Sequence, residues 1–159
     1  MRDQHGMTPL HGSALASSDS GVLPIRTLIE AGAEVGQVDM FGRTALHFAA
    51  GMDHEAVVAC LIAYGANVNA TDDINGWTAL HWAADRGYDG IARCLIKCGA
   101  ELDIEDNFGK TAAVYAKDGG YNLLEVELRR AKANIPKFPN LEAIVSSEVS
   151  SGDSENVPE

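Results

Sequence analysis

The same short segment opens four successive stretches of this chain. Asp3-Gln4-His5-Gly6-Met7-Thr8, Asp39-Met40-Phe41-Gly42-Arg43-Thr44, Asp73-Ile74-Asn75-Gly76-Trp77-Thr78 and Asp106-Asn107-Phe108-Gly109-Lys110-Thr111 start 36, 34 and 33 residues apart. A period of this length means stacked supersecondary units, each too small to bury its own apolar face, rather than one closed core. After each Thr the pattern goes on: Pro9-Leu10-His11, Ala45-Leu46-His47-Phe48-Ala49-Ala50, Ala79-Leu80-His81-Trp82-Ala83-Ala84, and a weaker Ala112-Ala113-Val114-Tyr115-Ala116. A second apolar set then leads to Gly32-Ala33, Gly65-Ala66 and Gly99-Ala100.

Each part has a physical task. Asp-x-x-Gly is turn chemistry, with the Asp bonding its own backbone and the Gly free to take positive φ. The Thr is a helix N-cap, and Pro9 sits where an amide has no helical partner in any case. Val57, Val58, Leu61 and Ile62 form one apolar stripe on a second helix. Gly32, Gly65 and Gly99 end the second helices.

On these residues the chain resembles the ankyrin-repeat family over roughly 3–133. The resemblance implies an all-α solenoid of helix–loop–helix units with β-hairpin-like tips projecting at right angles. The repeats fall at 3–38, 39–72, 73–105 and 106–133, within a domain of 1–135 followed by a tail at 136–159. Repeat one carries three extra residues in the loop around Ala16–Gly21, and repeat three one extra residue before it, near Thr71-Asp72. Repeat four replaces the His by Val114 and the apolar stripe by Glu125, Arg129, Arg130 and Lys132, as a terminal cap with a polar outer face would. No capping element stands before repeat one, so its outer face is expected to be apolar or covered from outside. From Pro136 the prolines break any helix, and Ser146–Glu159 reads as a disordered acidic tail, with Ser150 in a context that some kinases prefer.

Charge narrows the partners. Twelve Lys and Arg against 23 Asp and Glu leave a net charge of −11, which repels nucleic acid and anionic lipid. No apolar run reaches the length of a membrane span. Three cysteines make a poor disulfide framework, and the expected compartment is cytoplasmic or nuclear.

Catalytic and metal chemistry find little support. His11, His47 and His81 recur at one position, but equivalent residues of stacked helices lie roughly 8–10 Å apart and cannot share one ion. The resemblance implies instead that this His ties neighbouring tips together. His5 and His54 read as surface residues. Cys60 and Cys94 read as core, and Cys94 with Cys98 lacks a second pair for zinc. Gly109-Lys110-Thr111 lacks the first Gly of a phosphate loop, since position 104 is Ile. The expectation is a non-enzyme without cofactor, catalytic residue or metal. The resemblance adds a possible hydroxylation site at Asn69, against a plain turn residue.

Subtracting the structural positions leaves a candidate partner-binding set: Met40, Phe41, Arg43, Met52, Ile74, Asn75, Trp77, Asp85, Arg86, Asn107, Phe108 and Lys110. The resemblance implies that tip residues line a concave groove. Met40, Phe41, Ile74, Trp77 and Phe108 are expected to be exposed there as an interface core, with Met52, Asp85 and Arg86 as a polar rim. The alternative is that these side chains lie across neighbouring tips and stiffen the stack. Trp77, between Arg43 and Lys110, is expected to take an acidic and apolar partner segment. Phe48, Trp82 and Tyr115 form a second column read as packing. The function expected is a protein–protein interaction module, monomeric or in a hetero-complex. The alternative is a regulatory or targeting segment of a larger enzyme or channel, acting in cis.

Overall fold

Thr44 and Thr78 have extended backbones, at φ −91° and −84°, and each starts a helix as its N-cap. The side-chain oxygen of each accepts the amide of the His three residues on, and the His ring takes the Thr amide in return. This reciprocal cap satisfies donors that a helix start would otherwise leave orphaned. The second helices end at Gly32, Gly65 and Gly99, with φ of 100°, 91° and 93°. There Gly65 N–H donates to Ile62 O and Ala66 N–H to Leu61 O, a left-handed terminus that suits only glycine well.

The structure, a computed structural model, describes residues 1–16 and 22–133. The tail from Pro136, with its expected disorder and Ser150, lies outside the described residues, as does most of the repeat-one loop. Eight helices stand among them: α1 (Pro9–Ala16), α2 (Val22–Glu30), α3 (Ala45–Gly51), α4 (Glu55–Ala63), α5 (Ala79–Arg86), α6 (Asp89–Lys97), α7 (Ala112–Asp118) and α8 (Asn122–Ala133). The first helices α1, α3, α5 and α7 pack in one row and the second helices α2, α4 and α6 in another, each pair closed by its own repeat. The fold is the all-α stack that the repeats imply.

The core runs continuously through the stack, from Leu10, Ala14 and Ile25 through Leu46, Val58, Leu61, Leu80, Ile91 and Leu95 to Leu124 and Leu128. Alanines at 49, 50, 83, 84 and 116 are fully buried and let the first-helix row close up. Gly51 is needed for the same reason, because a Cβ there would stand 2.5 Å from the Trp82 ring. Repeat four ends the stack with charge: Glu125 pairs with Arg129 at 2.8 Å, and Arg93 of α6 holds Glu127 at 2.9 Å.

Two expectations need correction. The turn aspartate of repeat three is Asp72, not Asp73. Its buried carboxylate accepts the amides of Ile74, Asn75, Gly76 and Trp77, so the extra residue lies inside the tip rather than before it. His54 is half-buried rather than a surface residue, and its Nδ1 donates to Ala14 O across the repeat-one boundary.

Candidate protein-binding surface

Every tip is built on a carboxylate. Asp3, Asp39 and Asp106 each take two tip amides on Oδ1, at 2.8–2.9 Å. Successive tips are then joined edge to edge: Met40 N–H donates to His5 O, Asp73 N–H to Phe41 O and Asn107 N–H to Asn75 O, at 3.0, 2.9 and 2.8 Å.

The histidine column locks this ladder from beneath. Nε2 of His11, His47 and His81 lies 3.0, 2.9 and 3.1 Å from the carbonyls of Arg43, Trp77 and Lys110 on the following tip. A carbonyl only accepts, so Nε2 carries the proton and Nδ1 is left to receive the Thr8, Thr44 and Thr78 amides. Burial pushes all three imidazoles below their usual pKa, which keeps them neutral. Both ring nitrogens are spoken for. Among the described residues no group of three His, Cys, Asp or Glu side chains is placed to hold a metal ion.

The second oxygens of the tip carboxylates hold the aromatic column. Trp82 Nε1 donates to Asp72 Oδ2 at 3.2 Å, while Asp106 Oδ2 receives Trp77 Nε1 at 2.9 Å and the Tyr115 hydroxyl. Asp39 instead takes Arg43, through Nε at 2.8 Å and Nη2 at 2.7 Å. Burial opposes ionisation of Asp39 and Asp106, but these hydrogen bonds outweigh it. Asp39 is held below the usual carboxylate range, and Asp106 is held down to about 2.

The candidate residues therefore separate into two groups. Trp77 is corrected: it is not an exposed ring between two cations. Its indole is half-buried, bonded to Asp106 and edge-on to Tyr115 at 4.7 Å, so it is a strut between repeats three and four. Phe41 is also half-buried, beneath the Arg43 guanidinium at 4.9 Å, and Arg43 covers Phe48 as well at 4.7 Å. Lys110 is spent on Asp118 at 2.9 Å and lies over the Tyr115 ring. Asn75 and Asn107 join their tips, the Asn107 amide reaching Ile74 O. Arg86 donates to Gly51 O at 2.8 Å and sits over Trp82, beside exposed Met52 and Asp85.

What remains exposed among the candidate tip residues is one large apolar side chain on each of three consecutive tips: Met40 at 60% exposure, one residue after its tip aspartate, and Ile74 at 51% and Phe108 at 70%, each two residues after theirs. The Phe48, Trp82 and Tyr115 column packs as expected, Phe48 buried and Trp82 edge-on to it at 6.5 Å. The Asp72, Asp106 and Tyr115 network went unforeseen. Its only sequence signal is an aromatic column running at the repeat period beside the tip aspartates.

Asn69 is also tied down, its Oδ1 accepting the Glu101 amide of the next repeat at 2.9 Å. Cys60 and Cys94 are half-buried, and Cys98 is exposed at the end of α6.

A stack of helix–turn–helix units joined by hydrogen-bonded tips defines a helical repeat protein. Comparison makes the class specific. One family model, described as ankyrin repeats (3 copies), matches residues 1–72, and a second, described as ankyrin repeat, matches residues 75–107. The chain belongs to the ankyrin-repeat family, whose repeats are in general protein-interaction modules. It is similar to an ankyrin repeat and LEM domain-containing protein 1 homolog of Caenorhabditis elegans, 38% identical over 65 residues. That match covers 41% of this chain and 9% of the relative's length.

Proposed function

We propose that this chain is a non-catalytic binding module that takes a protein segment along its tips and the adjoining ends of its first helices. The observation that carries the reading is the exposure of Met40, Ile74 and Phe108, one large apolar side chain left in solvent on each of three consecutive tips. Every other large tip residue of repeats two to four is held by a neighbour. Exposed large apolar side chains on consecutive tips are the composition of an interface core. Asp73 is exposed next to Ile74, whereas Arg43 and Lys110 already hold carboxylates, so the partner segment is apolar with cationic rather than acidic flanks.

The test is quantitative co-precipitation with isotope labelling, comparing wild type with the triple variant Met40→Asp, Ile74→Asp, Phe108→Asp. A control variant carries Arg93→Asp and Lys97→Asp on the second-helix row. Proteins lost with the tip variant and kept with the control support the reading. Identical recovery from all three baits contradicts it.

A second reading has one observation in its favour. The Caenorhabditis relative joins ankyrin repeats to a LEM domain by its name, and the chain spans 9% of it. On that reading the repeats regulate or target a larger protein in cis, and an immunoblot of the native protein would run well above 16.9 kDa. The three free thiols suit a reducing compartment, so we place the module in the cytoplasm or nucleus.

A further inference from the structure

Equivalent positions can be compared down the stack. Four of them are buried in repeats two, three and four and uncovered in repeat one. On the first helices, Ala45, Ala79 and Ala112 are buried where Pro9 is exposed, and Ala49, Ala83 and Ala116 are buried where Ser13 is only half-buried. On the second helices, Val57, Ile91 and Leu124 are buried where Pro24 is exposed, and Leu61, Leu95 and Leu128 are buried where Leu28 is half-buried. Leu124 and Leu128 are buried although no described repeat follows them. These four positions therefore face the preceding repeat, and in repeat one nothing among the described residues covers that side.

The opposite side behaves differently. Ile25, Val58 and Ala92 are buried, and their equivalent in repeat four is Glu125, ion-paired to Arg129. The stack closes its C-terminal side with charge and leaves its N-terminal side with Pro9, Ser13, Pro24 and Leu28, which carry none. Met1, Pro9, Leu10 and Leu28 border an open depression there, together with Glu34 and Gln37 from the segment after α2.

The tip ladder is open on the same side. Met40, Asp73 and Asn107 each donate an amide to the tip before; the equivalent Gln4 N–H makes no such bond within the described chain. The Arg43, Trp77 and Lys110 carbonyls each take the Nε2 proton of a preceding His as well as an amide of their own tip. Among the described residues the equivalent Met7 O takes the Asp3 amide alone and keeps a lone pair.

We propose that the face of α1 and α2 is a stacking interface for one further ankyrin-type repeat, joined to the chain ahead of the first tip and bearing a Thr-x-x-His cap whose imidazole reaches Met7 O. Continuity with the interfaces already formed between repeats one to four selects this occupant. It matches an uncharged helical face, an unused amide and a half-used carbonyl together. A second copy does not match head to tail, because its trailing face carries Glu125 and Arg129 and has Val114 where the His belongs.

The experiment appends a copy of residues 39–69 directly ahead of Met1 of the full chain. With Met1 and Arg2 this restores the 33-residue spacing seen from Asp39 to Asp72. The fused repeat should raise the melting temperature by several degrees and slow amide exchange in α1 and α2 by about tenfold or more. Pro24→Glu in the fusion should remove both gains, measured against Pro24→Glu in the unfused chain. A fused unit that exchanges as an unfolded segment while α1–α8 stay folded overturns the proposal, and so does a gain that survives Pro24→Glu. Sedimentation of the unfused chain as a dimer at micromolar concentration, with α1 and α2 already protected, would assign the face to a second copy and overturn it equally.

Discussion

Four donors converge on the Asp106 carboxylate: the amides of Phe108 and Lys110 on one oxygen, Trp77 and Tyr115 on the other. They favour the ionised form, so its pKa falls to about 2 on folding. A carboxylate with a lowered folded pKa stabilises above its unfolded value, and that contribution is lost as pH falls from roughly 4 towards 2. The histidines add an earlier phase. His11, His47 and His81 are held below their usual pKa, so the unfolded chain takes up protons first and stability declines as pH drops below about 6.5. Melting temperature against pH should therefore fall in two steps, the first reduced in His47→Gln and the second in Asp106→Asn. A flat profile from pH 7 to 5 would contradict the neutral, doubly bonded imidazoles. Trp77 and Phe108 give the sharpest contrast between side chains of similar type. Trp77→Ala removes a half-buried ring and one partner of Asp106, and should cost about 2 kcal/mol of stability. Phe108→Ala removes an exposed ring and should stay within about 0.5 kcal/mol. Denaturant unfolding of the two variants measures the difference.

Helices of 7–12 residues are marginal alone, so the elements depend on caps, on close packing and on each other. Glycines show where packing decides. Gly51→Ala would drive a Cβ into the Trp82 ring and should cost about 1–3 kcal/mol as an overpacked contact. Gly12→Ala, in the equivalent helix of repeat one, meets nothing within 4 Å and should gain about 0.5–1 kcal/mol from the unfolded chain's lost freedom. Asp53 holds φ 60° after α3 where Gly87 and Gly120 serve the later repeats, so Asp53→Gly should stabilise by about 1 kcal/mol or less. Thermal melts of the three variants check all the signs. The elements were legible in the sequence because Thr, His and Gly each mark a boundary by a local mechanism. The register of the third tip was not, since Asp72 and Asp73 offer the same side chain. The four tip amides that converge on one oxygen of Asp72, and the Trp82 indole proton handed to the other, select between them.

At the scale of the molecule the described stack is asymmetric, with a charged face on α8 and, on α1 and α2, four stacking positions that carry no charge. Stability in such an array is a sum of unit and nearest-neighbour terms, so opening should start where a neighbour is lacking. Hydrogen exchange should be faster in α1 and α2 than in α3 to α6, and uniform protection across α1–α6 would count against the open face. The surface was only partly legible from sequence. Repeat spacing decides which residues share a tip, and so marks Met40, Ile74 and Phe108 as tip residues, but it does not align them: Met40 stands one position after its tip aspartate, Ile74 and Phe108 two. It could not tell a free ring from a strut, because that depends on the second oxygen of each tip aspartate. Asp106 has one to offer Trp77, and Phe108 finds no such partner.

The central claim is that these exposed apolar tip residues receive another protein. It is tested most directly by placing a photo-activatable phenylalanine analogue at Phe108 in the full chain in cells, with a second probe at Arg93 on the second-helix row. The expected result is a discrete cross-linked species from position 108 that is absent from position 93 and is lost when Met40→Asp and Ile74→Asp are added, with melting unchanged. Equal cross-linking from both positions, or a species from position 108 that survives both substitutions, would contradict the claim.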